Sequence, residues 1–414
     1  MNSNQAKSTS GRHCMVVHAH YPLAETRVER EAMALLDDDI EVDVICLRDP
    51  GESASGIVDG VQVYRLPLHR HKGSAFVVQL LEYLIFFALA FVRVATLHLR
   101  KRYEVVQVHN LPDFLVFAAL VPKLTGARVI LDLHDLMPEF YAERFGQSLD
   151  SVPVRLVRWQ ERLACRFADH VITVTELWRQ TLIGRGQPPD KVTVVMNAPD
   201  DRIFDRNAAA DLPGGSEIAK GKAGDDGRFT LLYHGAMSRR HGLDLALRAM
   251  DLVRKEVPDV QLILHGSGDY WRALVNLAEE LDLREHVQFS TQVIPSAHLP
   301  ALLKRADLAV VPYRNGVFTG DILPTKLMEY AALGIPAVAA RTPAIAAHFD
   351  ETAVQFFTPG DVGELADCIL ALYRDRSRLA RLVRGITELG ERYKWSNQQV
   401  DYLRLVERLA GRED

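Results

Sequence analysis

Cysteine is scarce in this chain. Four are present among 414 residues, Cys14, Cys46, Cys165 and Cys368, and no two have metal-ligand spacing. That excludes a disulfide framework and a cysteine zinc site, and it fits a reduced, cytoplasmic setting. The first half has no Gly-x-Gly-x-x-Gly turn, which makes a nicotinamide dinucleotide a poor ligand. No pair of histidines four apart lies on a helical stretch, so the histidine content does not indicate a metal centre. The polar N-terminus MNSNQAKSTSGRH lacks the apolar region of a signal peptide. An excess of positive charge is also missing. The net charge is −5, which gives no support for nucleic-acid binding.

What is present is a repeated alternation of strand-like and helical stretches. Apolar, β-branched runs occur at 14–20, 42–48, 61–68, 105–110, 127–135, 170–176 and 191–197. Most are apolar almost throughout, as strands buried on both faces should be. Amphipathic stretches at 25–36, 112–124 and 153–167 lie between them. A second series follows at 229–235, 260–268, 286–292, 307–313, 336–340 and 353–359. The pattern predicts an α/β protein of two doubly wound domains with parallel sheets. The expected division is a disordered N-terminus at 1–12, a first domain at 13–200 and an Ala/Gly/Asp-rich linker at 201–227. A second domain at 228–392 and a final helical segment at 393–414, with Ser396 as its N-cap, complete it.

Ligands of open parallel sheets sit beyond the carboxyl ends of the strands. The polar residues expected there are His18, His20, His109, Asn110, His134 and Asp135 in the first domain. In the second they are His234, Gly235, His265, Gly266, Arg314 and Asn315. The stretch DILPTKLMEYAALGIPAVAA, 321–340, predicts a helix over 325–333, opened by Pro324 and closed by Gly334. Its N-terminus places Thr325 and Lys326 where a diphosphate would bind. Glu329 lies one turn further on, able to accept hydrogen bonds from a ribose diol. Asp321, in the preceding loop, can reach sugar hydroxyls. YHGAMSRRHG and HGSGD add small residues, and Arg239 and Arg240, at strand-to-helix turns.

These segments, with VHNLPDFLVFAAL and LDLHDLMPEF, resemble the retaining, nucleotide-sugar-dependent glycosyltransferases of the GT-B fold. The family is the large fourth one (glycosyl transferases group 1), in a bacterial polysaccharide-synthesis branch. The resemblance runs from about residue 13 to 410. It implies two Rossmann-like domains facing a cleft, no cofactor and no metal ion. It assigns Glu329 to the ribose, Asp321 to the donor sugar, and Thr325, Lys326 and Arg240 to the diphosphate, with Gly235 and Gly266 in the donor turns. His109 would face the reacting sugar, and His20, Glu25 and Arg27 would form an acceptor loop.

The implied partners are a nucleotide-sugar donor, with UDP favoured, and a glycan or polyprenyl-diphosphate-linked acceptor. Hexosyl or N-acetylhexosaminyl transfer is the expected reaction. The chain departs from the family pattern at Ala236 and His241, where Arg and Lys are usual, and at Leu323–Pro324. Two other readings stand beside transfer: a sugar-nucleotide epimerase of the same architecture, and a non-catalytic sugar-nucleotide or lipid-binding module.

One apolar stretch, 76–102, is bracketed by basic residues. It predicts either a core helix or one lying on the cytoplasmic face of an anionic membrane.

Overall fold

A computed structural model describes residues 11–22, 26–68, 76–206, 227–292 and 294–412. Glu25, most of the expected linker and the first ten residues lie outside that set. The chain forms two compact units. Unit 1 comprises Met1–Met196 and Gln398–Asp414, and unit 2 comprises Asn197–Asn397.

Unit 1 is built on an eight-stranded sheet. Its strands are β1 (Arg12–Val16), β2 (Glu41–Leu47), β3 (Ser55–Val58), β4 (Val61–Leu66), β5 (Val105–His109), β6 (Arg128–Leu133), β7 (His170–Thr173) and β8 (Val192–Val194). The order is β3-β4-β2-β1-β5-β6-β7-β8, parallel except where β3 pairs with β4. The expected runs form strands, each ending one to four residues before the expected carboxyl end. β3 is the strand that the pattern missed. Ser55 and Gly56 weaken its signal, and it exists because Asp59 and Gly60, at φ 48° and 87°, close a two-residue hairpin onto β4. β5 is buried along its whole length.

The helix Phe76–Lys101 is the crossover between β4 and β5. Phe86, Ala90, Val94 and Leu97 on one of its faces are buried. By length and composition it is apolar enough to cross a membrane, with mean hydropathy 2.0 over its most apolar 18-residue window within Val78–Lys101. Its buried face nevertheless makes it part of the domain core.

Unit 2 carries six parallel strands in the order β11-β10-β9-β12-β13-β14. They are β9 (Phe229–His234), β10 (Val260–His265), β11 (Val287–Ser290), β12 (Leu308–Val311), β13 (Ala337–Ala340) and β14 (Val354–Phe357). This is the doubly wound order, whose direction reverses between β9 and β12. The helix Thr325–Leu333 has Pro324 at its N-cap and Gly334, at φ 68°, at its C-cap.

The last helix spans Trp395–Ala410. Ser396 therefore sits inside its first turn rather than capping it, and its N–H donates to Asp201 instead. From Gln398 onward the chain belongs to unit 1. There Tyr402 is fully buried and its hydroxyl donates to Gln107 Oε1 at 2.8 Å.

Candidate functional site

The expected donor residues of unit 2 gather at the carboxyl edge of its sheet, around the reversal between β9 and β12. Backbones pack closely there. Gly235 N–H donates to His265 O at 2.9 Å, and Gly266 N–H donates to Ser290 O at 2.8 Å. Gly266 has φ 137°, and a Cβ on it would lie 2.0 Å from the Gly235 carbonyl oxygen. A Cβ on Gly268 would lie 2.1 Å from Met237 O. Side chains are thus sterically excluded from both turns. Gly266→Ala is expected to displace the Gly235 turn and cost about 1–3 kcal/mol in backbone strain and contact relief. The check is a lower unfolding midpoint together with weakened nucleotide binding.

Lys326 is held in an aromatic cage. Its Nζ donates to the Tyr313 hydroxyl at 2.7 Å and lies 4.8 and 5.0 Å from the ring centroids of Tyr233 and Tyr313. Burial works against the ammonium charge, but the two tyrosines more than offset it and raise the pKa. The cation is fixed beside Gly235, whose Cβ position would be 3.3 Å from Lys326 Cε. Thr325 Oγ1 accepts from Asn197 Nδ2 at 3.2 Å. Leu327 N–H closes the first turn on Pro324 O at 2.9 Å, and the N–H groups of Thr325 and Lys326 before it have no intrahelical acceptor, which makes this N-terminus suited to an anion.

Glu329 lies one turn on, with its side chain 15% exposed. Its Oε2 is 2.5 Å from His234 Nε2, while His234 Nδ1 is 2.8 Å from the Tyr330 hydroxyl. That hydroxyl accepts the His234 backbone N–H at 3.3 Å and can therefore donate to Nδ1. Nε2–H is left to donate to Glu329, and the carboxylate is oriented by β9 itself. His234 stood out in the sequence as a strand-end residue. Its link to Glu329, and the tyrosines at 233, 313 and 330, carried no sequence signal beyond their position at strand and helix ends.

Asp321 ends the 3-10 turn Thr319–Asp321, four residues before Thr325. Gly320 packs against Asn315, since a Cβ there would meet Asn315 Oδ1 at 2.5 Å. Arg240 is half-buried, with its guanidinium 5.7 Å from the Phe318 ring centroid. Arg239 is exposed. His241 stacks on Tyr313, with centroids 4.8 Å apart, and its Nδ1 lies 2.7 Å from Ala236 O. Burial, with help from Lys326 and Arg240, pushes its pKa down to about 2. His241 is therefore neutral and supplies no phosphate charge. It fastens the Ala236 turn instead, and the cations of this edge are Lys326 and the arginines.

In unit 1 the structure gathers a different set. His109 Nδ1 is 3.1 Å from Asp132 Oδ2 and 3.0 Å from His134 Nε2. The three side chains place their ligand atoms within 4.8 Å of one another, a possible metal trio among the described residues. Yet Asp132 is already matched by a cation, since Arg27 donates to both of its oxygens at 3.0 Å. The expectation that Arg27 serves an acceptor loop is thereby corrected. Arg27 is 2% exposed and also donates to Val195 O at 2.9 Å. A buried guanidinium must satisfy its donors within the fold, so Arg27 is an internal strut. Glu31 and Gln107 complete the cluster, with Gln107 Nε2 donating to Glu31 Oε2 at 2.7 Å. Burial holds His109 neutral, down to about 4, against the pull of Asp132. His109 Nε2 has no hydrogen-bond partner. His20 lies apart from the cluster, 3.3 Å from Asp49.

The cluster holds one guanidinium between two carboxyls. Arg27 keeps Asp132 ionised, well below its usual range. Burial, reinforced by the Asp132 charge, raises Glu31 from 4.5 to about 8. The folded chain therefore keeps a proton on Glu31 that the unfolded chain releases above its ordinary value. Stability from this group is complete below about pH 4.5 and declines as pH rises to about 8. Glu31→Gln should flatten that decline, as read from unfolding midpoints between pH 5 and 8.5.

The comparisons agree with this architecture. Residues 24–198 match the Glycosyl transferase 4-like domain family, and residues 228–375 match Glycosyl transferases group 1. The sucrose-phosphate synthase structure from Thermosynechococcus elongatus aligns with 97% of this chain and 100% of its own at a TM-score of 0.75 and 18% identity. The chain thus has the GT-B fold and the paired domains of a glycosyltransferase. Among curated relatives, a Mycolicibacterium smegmatis GDP-mannose-dependent alpha-(1-6)-phosphatidylinositol monomannoside mannosyltransferase is 31% identical over 42% of this chain. A Mycobacterium leprae phosphatidyl-myo-inositol mannosyltransferase is 28% identical over 61% of it. The chain spans 46% and 61% of these two relatives' own lengths.

Proposed function

We propose that the protein transfers a hexose from a nucleoside-diphosphate sugar to a hydroxyl of a glycan or lipid-linked glycan. The observation that carries this reading is the edge of unit 2, where an oriented carboxylate, a caged ammonium and a helix N-terminus follow one another within two helical turns. Glu329 takes the ribose diol. Thr325, Lys326 and Arg240 take the diphosphate, and Asp321 takes the sugar. The bond from the anomeric carbon to the diphosphate oxygen breaks, and the acceptor oxygen bonds to that carbon on the same face. The acceptor proton passes to the departing phosphate oxygen. Lys326 and the helix N-terminus stabilise the charge that develops on the leaving group. The reaction as written requires no metal ion and no cofactor. The related mannosyltransferase names favour GDP-mannose as donor over the UDP-sugar that the sequence suggested.

The test is a thermal-shift series with GDP-mannose, UDP-glucose, ADP-glucose and dTDP-glucose. A ligand at one hundred times its dissociation constant stabilises by about 2.7 kcal/mol. A shift with one nucleotide class, followed by retention of configuration at the anomeric carbon of the product, supports the reading. No shift with any of the four favours the non-catalytic module, and conversion of the donor without an acceptor favours the epimerase.

A further inference from the structure

The helix Phe76–Lys101 has a second face that the core does not use. Leu81, Ile85, Ala88, Val92, Thr96 and Leu99 are exposed and recur at three- and four-residue steps. They form a stripe about 27 Å long at 1.5 Å per residue. Val92 is 61% exposed. None of these six lines the nearby groove; Leu84 and Leu80, 46% and 37% exposed, lead round the helix from the stripe to that groove, of about 480 Å³, between this helix and the helices Met137–Phe145 and Val152–Phe167. Leu80, Phe114, Met137, Phe140, Tyr141 and Val157 are among the residues that line it. On its far side Val152, Leu156 and Trp159, at helical spacing, are all exposed, Trp159 by 57%.

The exposed charges on the helices Met137–Phe145 and Val152–Phe167 are basic, with half-buried Glu143 and, just before the second helix, exposed Asp150 as the acids beside them. Arg155, Arg162 and Arg166 of the helix Val152–Phe167 are exposed. Glu161 is the one acid of that helix, and it is buried against Arg185, whose Nη1 donates to both carboxylate oxygens at 2.9 Å. Arg144 is exposed at the groove, 5.9 and 5.8 Å from the rings of Phe140 and Phe145.

We propose that this three-helix face of unit 1 docks on an anionic lipid bilayer, and that the groove takes one hydrocarbon chain of a bound lipid. Amphipathic helices with an aromatic and aliphatic face flanked by arginines bind in this way. The groove lining is mainly aliphatic and aromatic, which suits a chain better than a polar ligand. A second copy of this chain fits poorly, because a two-fold contact would set the same arginines against each other. That the chain belongs to the sugar acceptor rests on the transferase reading; docking itself does not.

The experiment is co-sedimentation of the full chain with phosphatidylglycerol-containing vesicles and with pure phosphatidylcholine vesicles. It is run for wild type, Leu156→Glu/Trp159→Glu and Arg155→Glu/Arg162→Glu. Wild type should bind the anionic vesicles at least tenfold more tightly, and each double variant should lose at least tenfold while keeping its unfolding midpoint. A phosphatidylglycerol with a diazirine in its acyl chain should label groove residues such as Met137 and Tyr141. Absence of binding, binding untouched by either variant, labelling confined to other parts of the chain, or a dimer that Trp159→Glu dissociates would each overturn the proposal. A failed nucleotide shift on protein that still sediments with vesicles would count against the transferase reading alone.

Discussion

Glu329→Ala is expected to weaken nucleotide-sugar binding by about ten- to a hundredfold with little change in the unfolding midpoint. A hydrogen bond to a charged group contributes about 1.5–3 kcal/mol, and every 1.4 kcal/mol is about tenfold in affinity. The side chain lies at the rim of unit 2 and is not part of its core. Its removal leaves His234 held by Tyr330 at 2.8 Å. Isothermal titration with the nucleotide chosen by the screen, beside a melting curve, separates the two effects. An unchanged affinity would remove Glu329 from the ribose site. Glu329→Gln sharpens the test. It keeps an oxygen that can accept from His234 Nε2–H but loses the charge and one acceptor, so an intermediate affinity is the expected result.

The second large effect concerns stability. Arg27→Met should cost about 3–5 kcal/mol, because deleting one partner of a buried ion pair leaves the other uncompensated. Asp132 is fully buried and would lose both guanidinium contacts at once. For a unit of this size each kcal/mol shifts the midpoint by about 2–4 °C, so a fall of about 6–20 °C is expected for unit 1. Calorimetry reads it. A fall of a degree or two would mean that the cluster is solvated rather than buried. Arg27→Met/Asp132→Leu, which removes both charges, should recover part of the loss, and a double variant no better than the single one would contradict the pairing.

These two residues mark where the sequence could be read and where it could not. The helix that carries Glu329 was legible to the residue, since proline and glycine punctuate it and its charged positions fall on one face. The strands were legible because parallel strands buried on both sides are apolar throughout. Arg27 was not legible. In ERE-rich surroundings a basic residue at a helix start looks solvated, and its partners lie 105 and 168 residues away in sequence, at Asp132 and Val195. A usable signal did exist. Gln107 within VVQVH and Asp132 within VILDL are polar residues inside runs that must be buried on both faces, and such residues require partners. His241 shows another limit. The sequence marks it as a departure from the lysine usual in the family, but its role as a neutral fastener is visible only in its burial against Tyr313.

The return of the last helix to unit 1 bears on the order in which the chain becomes a folded object during synthesis. Unit 2 is continuous, from Asn197 to Asn397, whereas unit 1 needs the segment from Gln398 onward. Domains generally form as they emerge, N-terminal parts first. Here the first half leaves the ribosome without Tyr402, the fully buried hydroxyl that donates to Gln107, and without Arg412, which pairs with Glu104 at 3.0 Å. The second half therefore has all its parts before the first. A chain truncated after Asn397, which keeps all of unit 2 and lacks the returning segment of unit 1, should show a protease-resistant core from unit 2 and a protease-sensitive unit 1, and restoring Gln398–Asp414 should convert the latter to resistance.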